Sequence, residues 1–152
     1  MMTQPTAARL LQVARQELED HVLPALADEQ LDASVQMVQH ILATLEVRAD
    51  HEIAWMCEEI DQIEAVAGRV LAEVSSAPAL EAALGRLADA PLASLHLHDV
   101  TARYGFGSEL LSCLLDAVPA EHPRRPDVEA LLDIRLAHES DIIGEFSLVG
   151  RH

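Results

Sequence analysis

From Leu31 to Val74 the apolar residues return at every third or fourth position, a spacing that only a helix can turn into a continuous stripe. Two runs carry it. Leu31, Val35, Val38, Leu42, Leu45 and Ala49 form the first, widened by Met37 and Ile41, and Ile53, Met56, Ile60, Ile63, Ala67, Val70 and Val74 form the second. Each reads as a heptad-like seam. In a heptad register the second run is one position out of step with the first, which predicts a restart of the chain at Asp50, acting as N-cap, with Glu52 at the positive end of the new helix. The expectation is two helices, about 28–49 and 52–74, packed as a long antiparallel hairpin.

The rest of the chain supports the same class. Only four residues are aromatic, so a core has to be made from Ala, Leu, Val and Ile, which here favours helices over sheets. Pro5 and Thr6 open an amphipathic segment over about 6–22, and Asp28 can cap the first long helix. Ser75, Ser76 and Pro78 start a short helix through about 88, stopped by Asp89 to Pro91. A helical turn or two follows over 92–104, a turn is expected at Gly105-Phe106-Gly107-Ser108, and helices are expected over about 108–118 and, after the Pro119 to Pro126 connection, 126–143. The predicted fold is all-α, a single domain over 1–152, built as a bundle of about six or seven helices around the long hairpin.

Charge narrows the function classes. Ten basic residues against 26 acidic ones give a formal charge of −16, which repels phosphate backbones and anionic lipid. Neither nucleic acid nor membrane is an expected partner. Every basic residue is Arg, and the absence of Lys and Asn removes a Walker Lys, a Schiff-base Lys and an Asn-assisted cysteine-protease site. No apolar stretch of signal-peptide or membrane-span length occurs, so a cytoplasmic protein is expected. Cys57 and Cys113 stand in no CxxC or zinc-knuckle spacing and read as free thiols.

The chemistry-bearing clusters are sparse. The densest metal-ligand set is His96, His98 and Asp99, but two positions apart on a helix is about 200° of rotation, so both imidazoles meet one ion only if the stretch is extended or a turn. No Glu-x-x-His pair exists to build an inward carboxylate site. The expectation is therefore no metal, no cofactor and no catalytic residue, with His96, His98 and Asp99 as the first place to look if a metal were present. His138, Glu139 and Asp141 form a looser set of the same kind. Gly105-x-Gly107 is a fragment of a phosphate loop with no strand before it, and no Gly-x-Ser-x-Gly occurs. Arg124-Arg125 is the one concentrated basic spot, able to hold a carboxylate or phosphate in bidentate fashion. Glu58, Glu59, Asp61 and Glu64 read as a solvated helix face, while Trp55 and Met56 suit either core or a pocket rim.

Leu10-Leu11, Val13, Leu18, Val22, Leu23, Pro24, Ala25 and Leu26, with Ile41 to Arg48 further on, resemble a family of small bacterial helical proteins of unknown function. Members of that family are associated with aminoglycoside-phosphotransferase-like kinases and acyl-CoA dehydrogenases. The resemblance covers about the first third of the chain and implies a helical accessory role beside an enzyme. The residues themselves point to a protein that acts by association, as a homo-oligomer and with a possible enzyme partner. The alternative is a bundle that encloses a small molecule or a metal, possibly an enzyme subunit of a phosphotransferase or acyl-CoA pathway.

Overall fold

The structure, a computed structural model, describes residues 4–74 and 76–144. Ser75, one of the residues expected to open the short helix through about 88, lies outside them. Among the described residues five α-helices follow one another: α1 (Ala7–Glu17), α2 (Glu29–Glu73), α3 (Pro78–Ala88), α4 (Leu97–Ala117) and α5 (Arg125–Ile143). A π turn, Leu18–Val22, and a 3-10 turn, Leu23–Ala25, continue α1. No strand occurs among the described residues, and none of their helices is long and apolar enough to cross a membrane.

The caps match the local sequence. Thr6 Oγ1 accepts from the Arg9 N–H at 3.2 Å at the start of α1, and Asp28 Oδ1 accepts from the Gln30 N–H at 2.8 Å at the start of α2. Pro24 has no N–H for the Asp20 carbonyl and its ring crowds that turn, which accounts for the regular helix giving way before it. Pro78 is the first residue of α3, and Asp89 ends it.

The expected hairpin is not there. α2 runs for 45 residues without interruption through Asp50, which is exposed. The reason is the ruler used to read the seam. On a helix of 3.6 residues per turn the step of four from Ala49 to Ile53, following the step of four from Leu45, corrects the drift that a strict seven-residue repeat accumulates, and all seam positions from Leu31 to Val74 fall within an arc of about 100°. What reads as a slip in a 3.5-residue register is thus a stripe kept straight on a single helix.

The count of six or seven helices falls to five for a related reason. α4 continues through Gly105, Phe106 and Gly107, where a turn was expected. Gly107 is buried because α4 comes close to α2 there: a Cβ at this position would lie 3.0 Å from Ile60 Cγ1. Its smallness serves packing between helices, whereas a Cβ at Gly105 would meet nothing within 4 Å.

The chain divides into two compact units, Met1–Glu52 with Glu139–His152, and Ile53–His138. The second holds the hydrophobic core. Ile60, Ile63, Val66, Ala67 and Val70 of α2 are buried with Leu80, Ala83 and Leu87 of α3, Leu110, Leu111 and Leu114 of α4, and Val128 and Leu131 of α5. Here the seam behaves as its spacing predicts. In the first unit Ala8 alone is buried among the described residues, and α1 meets α2 through polar contacts: Arg15 Nη1 donates to Glu46 Oε2 at 2.8 Å, and Gln39 Nε2 donates to the Arg15 carbonyl at 3.4 Å.

Candidate functional site

In the first unit Arg15, Gln39 and His40 line a cleft of about 400 Å³ together with Ala43, Val47 and Ile142, while much of the apolar stripe of α2 is exposed. Leu31 is 53% exposed, Met37 67%, Val38 46%, Ile41 51% and Leu45 43%. Together these five residues leave roughly 500 Å² exposed, the size of the largest apolar patch on an ordinary monomer, which is often functional. Thirteen consecutive residues, 33–45, include no Asp, Glu, Lys or Arg, in a chain where 24% of residues are charged. Depletion of charge is the compositional mark of an interface centre. The same stripe is core in the second unit and largely exposed in the first, where Val35 and Leu42 are half-buried.

A second constellation lies in the Ile53–His138 unit. Glu59 on α2 is 6% exposed, and three donors from two other helices converge on its carboxylate. Tyr104 Oη donates to Oε2 at 2.5 Å, Arg135 Nε donates to Oε2 at 3.1 Å, and His138 Nδ1 donates to Oε1 at 2.7 Å. Arg135 also donates to Ser108 Oγ at 3.1 Å, and its guanidinium stands 4.8 Å from the Tyr104 ring centroid. The Trp55 ring is stacked on His138, with centroids 4.4 Å apart and planes 5° from parallel. Burial pushes Glu59 upward, but the hydrogen bonds from Tyr104, His138 and Arg135, with the Arg135 charge, outweigh it and hold the carboxyl below its ordinary range. Burial and the bond to Glu59 push the Tyr104 phenol up to about 12. A carboxylate satisfied in this way joins α2, α4 and α5 in one register, since any slide of a helix breaks a charge-assisted bond.

This hub corrects the reading of Glu58, Glu59, Asp61 and Glu64 as one solvated face. Glu58 and Asp61 are exposed and Glu64 is half-buried, but Glu59 is buried. A signal was available: on a 3.6-residue helix Glu59 lies at the same angle as Ile41, on the edge of the apolar stripe. Its partners are 45, 76 and 79 residues away, a distance that local spacing does not reach.

His96 is the extended N-cap residue of α4, which brings its ring to 6.0 Å from that of His98, centroid to centroid, instead of diverging from it. His98 Nε2 lies 3.1 Å from Asp99 Oδ1, and Asp99 accepts from Ser94 Oγ at 2.5 Å. Among the described residues no three His, Cys, Asp or Glu side chains converge as metal ligands. Arg124 is engaged internally: its Nε lies 3.0 Å from both Glu73 carboxylate oxygens, its Nη2 also meets Glu73, and its Nη1 is 3.2 Å from Asp127. Arg125 pairs with Glu129 at 2.9 Å. Glu139 and Asp141 are exposed, and of their group only His138 joins a site.

A cleft of about 490 Å³ in the second unit is lined by Cys57, Ile60, Asp61, Glu64, Leu92 and Arg103, among others. Burial, then the nearby Asp61 charge, push the Cys57 thiol up, so it stays protonated and is a poor nucleophile. Arg103 closes the end of α3, donating to the Leu87 carbonyl at 2.9 Å and the Ala90 carbonyl at 2.5 Å. When the chain is compared with family models, curated proteins and solved structures, nothing matches.

Proposed function

We propose that the chain acts by association, as a cytoplasmic helical accessory protein whose first unit pairs with a second copy through the exposed stripe of α2. The observation that carries this reading is the bare stripe itself: Leu31, Val38 and Leu45 keep the heptad spacing of the seam, stand about half exposed, and sit on or beside a charge-free stretch of a strongly acidic chain. A second copy is the occupant that suits it. A seam of heptad spacing fits another of the same spacing, and a charge-free face is where two chains of −16 can meet with least repulsion. Complete burial of Leu31, Met37, Val38, Ile41 and Leu45 in both copies would remove about 1,000 Å² from water, the lower bound of a specific interface. An enzyme partner, implied by the resemblance of the opening segment, would then be served by the dimer.

The test is size-exclusion chromatography with light scattering over a concentration series. A dimer is expected, and Val38→Glu should make it monomeric with helicity unchanged, because Val38 makes no contribution to the buried core. A monomer at every concentration ends this reading.

The cleft at Cys57 supports a second reading, a binding module, because its volume lies in the range of small-molecule sites. Its apolar lining of Ile60 and Leu92 and the Asp61 carboxylate, with Glu64 paired to Arg103 at 3.7 Å, suit a small cation with an apolar body. A thermal-shift screen of such amines tests it, with protection of Cys57 from a thiol reagent as the expected result; no shift and no protection remove it.

A further inference from the structure

The cleft at Arg15 is lined by α1, α2 and the last turn of α5, all within the first unit, and it holds a donor without an acceptor. Arg15 Nη1 is taken by Glu46 Oε2 at 2.8 Å, but Arg15 Nε is buried and no described residue accepts from it. Leaving a buried N–H unmatched is destabilising, so folded proteins rarely keep one unless something outside the chain supplies the acceptor. The Nε–H shares an edge of the planar guanidinium with Nη2, and that edge is one a carboxylate grips with both oxygens. Arg15 lines the cleft with 37% of its side chain exposed, which puts the guanidinium within reach of a molecule that enters.

The rest of the lining restricts what that molecule can be. Glu46 and Asp141 set two carboxylates beside the one guanidinium, in a chain of −16, so a simple anion is repelled. A simple cation brings nothing for Nε to donate to. Ala43, Val47 and Ile142 are half-buried and give the cleft an apolar wall, and its volume of about 400 Å³ is at the small end of ligand sites. The geometry points to a site for a zwitterionic amino acid with an aliphatic side chain. Its carboxylate takes the Nε and Nη2 edge of Arg15, its ammonium lies among the Glu46 and Asp141 carboxylates, and its side chain rests on Ala43, Val47 and Ile142. On a 3.6-residue helix Ala43 and Val47 are roughly 140° and 180° around α2 from Val38, so the site stands whether or not the copies associate.

Calorimetric titration of the full chain with L-leucine, L-leucinamide and 4-methylpentanoate at millimolar concentration tests the assignment. Leucine should bind at one site per chain. Leucinamide sets an amide N–H against Nη2 and 4-methylpentanoate lacks the ammonium, so each should bind about tenfold or more weakly. Arg15→Lys keeps the charge and loses the two-pronged edge, and should weaken leucine by a similar factor with helicity unchanged. Ala43→Leu fills the apolar wall without touching a hydrogen bond and should weaken leucine likewise, which keeps the test decisive if Arg15→Lys disturbs the first unit. Equal binding of the three probes would overturn the zwitterion. Undiminished leucine binding in folded Arg15→Lys or in Ala43→Leu would overturn its placement in this cleft. Failure of leucine to bind at all would overturn the site and leave water as the acceptor of Nε.

Discussion

Removing the Glu59 carboxylate leaves the half-buried Tyr104 Oη, Arg135 Nε and His138 Nδ1 without their common acceptor, which is why Glu59→Ala should lower stability by about 1 to 3 kcal/mol in denaturant melts. The pH dependence has two arms. Glu59 is held below its ordinary value, so its contribution is complete above the usual carboxylate range and is lost as pH falls through the lowered folded value. Tyr104 is raised to about 12, so the contribution of its neutral phenol is complete below the ordinary tyrosine value of about 10 and is lost as pH rises through about 12. Tyr104 is the single tyrosine, so the phenolate band in the ultraviolet reads it without interference. That band should rise near pH 12 in the native protein and at a lower pH in Glu59→Gln; an ordinary titration in the unmodified chain would show that the bond to Glu59 does not form in solution.

At the scale of the element, glycine in a helix has two meanings that the sequence does not separate. Gly105 and Gly107 both suggest a turn, yet both lie inside α4. Gly107→Ala drives a Cβ against Ile60, itself only 2% exposed, and should cost about 1 to 3 kcal/mol. Gly105→Ala meets open space and should stabilise by roughly 1 kcal/mol, the helix preference of Ala over Gly. Thermal melts of the two variants shifting in opposite directions would bear this out. Much of α2 was legible: the seam, the Asp28 cap and the burial of Ile60, Ile63, Ala67 and Val70 all follow from spacing and local chemistry. The continuity at Asp50 was not, because a heptad ruler applied beyond forty residues turns the ordinary 3.6-residue pitch into an apparent break. Nor does a seam reveal whether its partner lies in the same chain, and Val38 and Val70 look alike until burial tells them apart.

Taken whole, the molecule distributes its burial unequally between the two units. Apart from Val100, the second holds a connected core drawn from four helices, while the first has Ala8 and a set of polar contacts. Local stability follows burial, so amide hydrogen exchange should be fastest over α1 and the 29–52 portion of α2 and slowest around Ile63, Leu87 and Leu114. Dilution or Val38→Glu should speed exchange in the 29–52 portion and leave the slow amides unchanged. The place of the two strongest chromophores gives the hub another consequence. The chain has one tryptophan and one tyrosine, and Trp55 and Tyr104 both belong to the Glu59 hub. Intrinsic fluorescence and near-ultraviolet dichroism are therefore gauges of residues 53–138: an unfolding curve recorded by either is blind to the first unit, and its gap from a far-ultraviolet curve of the same sample measures how independently that unit melts.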